Sequence, residues 1–340
     1  MSTVSRVLNG GYASAPVRKR VEAAVRELGY SPSPTARSLV TGRTGSIGVV
    51  AHTSQSPWFT QLLGGIEEAL ATSRHSVLLG SLAPEGHYDA STVTAWVTER
   101  RVDGLIFARS TKRERPLLRS ALRAGLPVVL VAPDVTAGGA ITIRCQNVEA
   151  GRLAGLHLLE LGHRRIAFAG GPEDSVDSQD RQRGLQQALT EHGVTLTQEV
   201  DFCSSYDPQS GIEYAERFVE RAGARRSTAV VLGNDALALG FMRRVLQSGW
   251  SIPRDVSVIG FDGVPDGGLF WPGLTTIAQP TRTMGATACQ VLLDRIFQRD
   301  TGTPSAVEFD PRIEVRESTG QPSDRRGKRV SGTRASRLRA

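Results

Sequence analysis

SIGVVAH (residues 46–52), SVLLGS (76–81), DGLIFA (103–108) and PVVLVA (127–132) are short runs rich in β-forming residues. Between them lie stretches with apolar residues at helical spacing, over 59–74, 90–101 and 115–124. Strands that alternate with amphipathic helices pair in parallel, because each helix carries the chain back across one face of the sheet. A second series follows ITIR (141–144). It predicts a helix over 147–161, the strand RIAFAGG (165–171), helices over 179–192 and 210–222, TAVVLG (228–233), a helix over 235–248 and VSVIGF (256–261). LTTIAQP (274–280), a helix over 283–298 and the end piece EFDPRIEVRES (308–318) come last. The body is therefore expected to be two doubly wound parallel-sheet lobes of similar size.

A different kind of sequence stands ahead of it. TVSRVLNG (3–10) reads as the second half of a helix-turn-helix. A base-reading helix needs small hydroxyl-bearing side chains that can approach DNA and an arginine that reaches phosphates or guanine edges. Ser2, Thr3, Ser5 and Arg6 supply those types, with Asn9 closing the set. Ser14 is placed to cap a helix that opens Ala15-Pro16, and Val17, Val21, Ala24, Val25 and Leu28 fall on one face before Gly29 stops it. SPSP (31–34) is an extended connector. Ser33 as cap and Pro34 in the first turn predict a helix of under two turns through Val40, too short to persist without a partner surface.

Charge divides the chain the same way. Residues 1–45 carry seven Lys/Arg against two Asp/Glu, residues 46–320 carry 27 against 31, and residues 321–340 carry seven against one, for a net charge of +7. The expected domains are a basic head with its connector (1–45), a two-lobed body (46–320) and a basic Gly/Ser/Arg tail (321–340) without an apolar stripe, read as a disordered arm. No apolar run is long enough to span a bilayer and the N-terminus shows no signal-peptide pattern, so a cytoplasmic protein is expected. Cys145, Cys203 and Cys289 are odd in number and far apart, and the six histidines include no His-Glu-x-x-His. Inert buried thiols, no metal and no cofactor are the reading.

The blocks TVSRVLNG, RKRVEAAVRELGYSPSPTARSL and GSIGVV, in that order, resemble the lac and purine repressor (LacI/GalR) family of bacterial transcription regulators. The likeness continues through LELGHRRIAFAGGPEDS, RQRGLQQAL, GNDALALGFMRRVLQSGWSIPRDVSVIGFD and GLTTIAQP, covering residues 1–318. It implies a small helical DNA-binding head followed by periplasmic-binding-protein-like lobes, with the chain crossing between the lobes about three times. It implies a homodimer on operator DNA, whose paired hinge helices push Leu39, next to Ala36, into the minor groove. Met1 falls where an internal residue of the recognition helix stands in that family, so a preceding helix and turn are expected upstream.

The resemblance also implies a small-molecule effector, a sugar or related metabolite, held in the cleft between the lobes. Trp58 and Phe59 are positioned to stack on it, Arg181 to grip its oxygens through a planar fork, and Tyr206 to line the pocket. Asn234 and Asp262 sit at strand C-terminal ends, where doubly wound sheets bind ligands, and Gln279 joins them. Gln146-Asn147 stands where many relatives carry an Asp-Asn pair, and Gly263 where an acidic or amide residue is usual, which implies fewer acceptors and an effector other than a plain hexose. Three functions compete: a ligand-responsive repressor, a two-lobed binding protein without specific DNA binding, and a nucleotide-dependent enzyme. The last has no support from a Gly-x-Gly-x-x-Gly after a strand, a P-loop or a Gly-x-Ser-x-Gly elbow.

Overall fold

In a computed structural model of the chain, the described residues are 3–8, 11–29, 42–52, 56–71, 73, 75–82, 89–197, 200–221, 226–299, 302 and 304–323. Ser2, Asn9 and the hinge segment with Ala36 and Leu39 lie outside them.

The head holds two helices, Thr3–Leu8 (α1) and Ala15–Glu27 (α2). Gly11 N–H donates to the Arg6 carbonyl at 2.8 Å and the Arg18 guanidinium to the Gly11 carbonyl at 3.0 Å, which fixes the turn between them. Val7 is buried where the helices meet, and Val4 is exposed. Two expectations fail here. Ser14 has the extended backbone of a cap, yet its side chain caps nothing. The apolar stripe of α2 is only half covered: Val17, Val21 and Val25 are half-buried while Ala24 and Leu28 are exposed, because the six residues of α1 shield little of that face.

Each lobe is a six-stranded sheet. The first is built from Ser46–Ala51 (β1), Ser76–Ser81 (β2), Gly104–Ala108 (β3), Val128–Val131 (β4) and Ile141–Cys145 (β5), with helices Pro57–Leu70 (α3), Ser91–Thr98 (α4) and Arg115–Arg123 (α5). The second contains Asn147–Glu160 (α6), Ile166–Gly170 (β6), Val176–Glu191 (α7), Val200–Phe202 (β7), Pro208–Glu220 (α8), Ala229–Leu232 (β8), Asp235–Gln247 (α9), Ser257–Asp262 (β9), Pro265–Leu269 (α10) and Thr275–Ala278 (β10). The chain then returns to the first lobe with Thr281–Ile296 (α11) and Ala306–Phe309 (β11), and ends in the second with Arg312–Glu314 (β12). Sheet orders are β11-β5-β4-β3-β1-β2 and β12-β10-β9-β8-β6-β7, parallel except for the β10–β12 pair. Three crossings join the lobes, as the family resemblance implied.

Central strands are buried along their length, with β3, β4, β6, β8 and β9 showing no exposed residue. Helices on both faces require this, which is why these strands read as continuous apolar runs. Close helix contact fixes the part of the second lobe that faces the cleft. A Cβ at Gly151 of α6 would overlap the Arg181 carbonyl oxygen, and one at Gly184 of α7 the Val148 carbonyl oxygen. The two backbones touch only because both positions are glycine. Among the described residues, no helix is long and apolar enough to cross a membrane.

Candidate functional site

The C-terminal ends of the strands in the two lobes face each other across a cleft of about 780 Å³. Trp58, Arg181, Tyr206, Asn234, Asp262 and Gln279 all line it, joined from the first lobe by His52, Arg109 and Thr111. Six of the expected residues thus converge, Trp58 from α3 of the first lobe and the others from α7, the β7–α8 loop, the β8–α9 turn, β9 and the segment after β10. Phe59 does not join them. It is 2 % exposed, in the core of the first lobe with Leu62 and Ile66, because neighbouring helix positions 58 and 59 point about 100° apart and only one can face the cleft. Thr3 and Arg6 are exposed on α1, and Ser5 lies on the same helix.

The polar floor of the cleft is a network centred on Arg181, only 3 % exposed. Its Nε donates to Asn147 Oδ1 at 2.8 Å, its Nη1 to the Gly233 carbonyl, and its Nη2 lies 3.6 Å from Asp262 Oδ1. The guanidinium also stands 4.8 Å from the Phe261 ring centroid. Gln279 Nε2 donates to Asp262 Oδ1 at 2.8 Å. Asn147 Nδ2 donates to Asp177 Oδ1 at 2.9 Å, so this buried amide sits behind Arg181 and orients it. Gln146 points away to Asp310 at 2.8 Å. Asn234 accepts from Leu237 N–H at 2.9 Å and so serves first as the cap of α9.

Beneath this floor Asp235 is fully buried, accepting from Thr276 Oγ1 at 2.7 Å and Val264 N–H at 2.9 Å. Burial, then the nearby Asp262 charge, pushes its carboxyl far above the ordinary value. Burial likewise pushes Asp262 up, against the opposing pull of Arg181 and Gln279. Asp262 itself has φ of 113°, and Gly263 follows at 74° with no room for a Cβ beside Ala278. A larger residue at 263 would collide there.

Tyr206 forms the aromatic wall. Its hydroxyl meets Ser175 Oγ at 2.9 Å, and Gly171 backs the ring, since a Cβ there would strike it. Arg109 was not singled out in the sequence; its guanidinium carbon lies 4.4 Å from the Tyr206 centroid. The site can offer a ligand a flat apolar face, charged donors and a carboxylate acceptor. The cysteines offer nothing: burial pushes Cys145 and Cys289 up to about 12 and Cys203 to about 11, leaving no thiolate near neutrality. Among the described residues no group of three or more His, Cys, Asp or Glu is arranged to hold a metal ion.

Two family descriptions match the chain. "Bacterial regulatory proteins, lacI family" covers residues 1–33 and "Periplasmic binding protein-like domain" covers residues 156–319. The chain is 31 % identical over 323 residues to the HTH-type transcriptional repressor PurR of Erwinia tasmaniensis, covering 94 % of each chain. It is 32 % identical over 322 residues to the PurR of Aliivibrio fischeri, covering 93 % of this chain and 94 % of that one. Among solved structures, the lac repressor dimer bound to operator and the anti-inducer ONPF matches with TM-score 0.80 and 26 % identity over 94 % of both chains. A complex of the transcriptional regulator CelR with cellobiose matches with TM-score 0.73 and 28 % identity, over 93 % of this chain and 94 % of the other. Helical head, twofold-wound body and near full-length likeness agree: the chain belongs to the lacI family of bacterial regulatory proteins.

Proposed function

We propose that the chain is a DNA-binding transcriptional repressor whose hold on its operator is set by a small hydroxyl-rich molecule, a sugar or related metabolite, bound between the lobes. The observation that carries this reading is the convergence of Arg181, Asp262 and Gln279 beside the Tyr206 ring at the strand ends. A charged donor beside a carboxylate acceptor satisfies neighbouring hydroxyls, and an aromatic wall covers the apolar face of a sugar ring. The candidate ligand-contacting residues are Trp58, Arg181, Tyr206, Asn234, Asp262 and Gln279. The relatives named PurR are repressors by name, and the CelR structure holds cellobiose. No catalytic constellation competes for the cleft among the described residues.

Residues 1–45 serve as the DNA-facing part in this reading, with Ser2, Thr3, Ser5, Arg6 and Asn9 toward bases or phosphates and Ala36 and Leu39 in the minor groove. The protein acts as a homodimer. Leu269 at the end of α10 is 86 % exposed and Trp271, two residues further on, 79 %, apolar side chains of the second lobe that a second copy would cover. The two lobes then change angle when ligand enters, and the paired hinges follow.

The test is selection of duplexes from a random pool by the full chain, followed by competition with cellobiose, ribose and hypoxanthine at one salt concentration. A common enriched sequence, released or tightened by one of these or a relative of it, supports the proposal. Absence of any enriched sequence would favour the two-lobed binding protein without specific DNA binding.

A further inference from the structure

Three cleft-lining residues at strand ends hold left-handed backbone: Arg109 after β3 at φ 57°, Ala132 after β4 at φ 48° and Asp262 at φ 113°. Side chains rarely adopt such φ, and positions that do so are held there by their surroundings. Asp262 belongs to the floor already described, and Ala132 carries only a methyl group. The Arg109 side chain makes no hydrogen bond in that floor among the described residues, and it leaves its own lobe.

From the end of β3 in the first lobe, its guanidinium lies over the Tyr206 ring of the second, 4.4 Å from the centroid. One amino group reaches Asp134 Oδ2 at the long distance of 3.5 Å. Asp134, also in the first lobe, spends its other oxygen on the second lobe, accepting from Val176 N–H at 2.8 Å at the start of α7. Tyr206, Arg109, Asp134 and Val176, closed by Ser175, which precedes Val176 and meets the Tyr206 hydroxyl, thus form a ring of contacts that passes between the lobes twice. Arg144 of β5 adds a looser link, 3.9 Å from Asp177. Among the described residues, the polar contact of this five-donor guanidinium is the one long reach to Asp134.

We propose that Arg109 is a built-in occupant of the cleft: its guanidinium takes the aromatic face on which a ligand would stack, ties the lobes together through Tyr206, and must leave when a ligand arrives. The ligand half of this statement rests on the function proposed above; the tie between the lobes does not. A planar cation over a tyrosine ring gains more as water is removed from it, and the half-buried Arg109 and Tyr206 are partly withdrawn from solvent. A flat ligand needs the same face, so binding and release of the tie become one event. That exchange is the differential interaction any ligand-driven change of lobe angle requires.

The tie is tested without a ligand. Spin labels are placed on the full chain at two exposed positions, Arg123→Cys in the first lobe and Glu220→Cys in the second, the native cysteines being buried. Dipolar spectroscopy then reads the distance between the lobes. With Arg109 present the distribution is narrow. Arg109→Ala shifts it to longer distances and broadens it, Tyr206→Leu does the same, and the double variant adds nothing further. Arg109→Lys, which keeps the charge and most of the stem, gives a smaller shift and serves if the alanine variant loses its circular dichroism spectrum. Millimolar methylguanidinium draws the Arg109→Ala distribution back.

An unchanged distribution in the alanine and lysine variants overturns the proposal. So does a double variant whose shift is the sum of the two single ones. A shift that methylguanidinium leaves unmoved assigns the effect to the alkyl stem and overturns the role of the cation. A chain that bound no operator and no small molecule would still show the tie, so the two readings fail separately.

Discussion

Arg181→Ala is expected to weaken the fold as well as the site. At 3 % exposure, the side chain satisfies Asn147 Oδ1 and the Gly233 carbonyl and faces the carboxylate of Asp262. Alanine leaves two buried acceptors without a donor and one buried charge without its cation. Removing one partner of a buried ion pair costs about 3–5 kcal/mol, much of it the uncompensated charge that remains. The loss is partly self-limiting, since Asp262 is already pushed upward by burial and takes up a proton more readily once Arg181 is gone. Urea unfolding at pH 7 should therefore show a loss of about 3 kcal/mol, at the low end of that range. Adding Asp262→Asn should recover about half of it, because the buried charge is then gone. A loss below about 1 kcal/mol would mean that water enters the cleft and solvates both groups. No recovery in the double variant would show that the lost hydrogen bonds, and not the stranded charge, dominate. Either result refutes the reasoning. Loss of ligand response in Arg181→Ala must accordingly be judged against Arg181→Lys, which retains the charge.

The remaining expectations concern other parts of the molecule. Trp271→Glu should convert the dimer to monomer in sedimentation velocity at micromolar concentration while leaving the circular dichroism spectrum unchanged; a persistent dimer would place the interface elsewhere. Gly184→Ala forces a methyl group onto the Val148 carbonyl, so the thermal midpoint should fall by several degrees, equivalent to about 1–3 kcal/mol of overpacking. The Asp235 carboxyl is pushed up to about 8 and that of Asp262 to about 6, both above the unfolded carboxyl range near 4. The folded state therefore binds these protons more tightly, and stability should rise as pH falls from 8 to 7. Below that window His157 and His163, which burial holds under their ordinary value, act in the opposite sense. Asp235→Asn should flatten the rise, as read from urea midpoints at the two pH values. Removing residues 324–340, seven Lys/Arg against one Asp, should lower the salt dependence of DNA binding without changing the preferred sequence.

Strand and helix order in the body was legible because parallel strands covered on both faces leave continuous apolar runs. VSVIGF and TAVVLG mark their strands within a residue or two, and helix 147–161 in the sequence became Asn147–Glu160. The three-residue β7 and the five-residue α10 left no comparable trace, being shorter than one period of pattern. Asp262 and Asn234 could be named because they stand at the C-terminal ends of strands inside recognisable blocks, and Arg181 because it lies in the first turns of a helix within another. Arg109 could not: its role depends on a left-handed backbone and on Tyr206, ninety-seven positions away, and neither leaves a local signal. Phe59 was misread because adjacent aromatics on a helix both look available until one knows which face is covered. The partial burial of α2 has a similar origin, since an apolar stripe states what needs covering and not how much cover is supplied.

The path of the chain after β10 has a consequence for anyone who wishes to recombine these proteins. Helix α11 supplies Met284, Ala288, Cys289 and Leu292 to the core of the first lobe, and β11 forms the edge of its sheet beside β5. Neither lobe is a contiguous cassette. Cutting after Ala278 would strip the first lobe of a helix and a strand while also removing β12 from the second. A chimera that exchanges one lobe between two such proteins needs three seams, near residues 146, 280 and 311, and each seam must join backbones whose partners lie in the other parent. Exchange of the head needs one, in the segment before Ser46, and disturbs neither sheet. New pairings of DNA preference with ligand preference should thus be far easier to obtain than new pairings of one lobe with another.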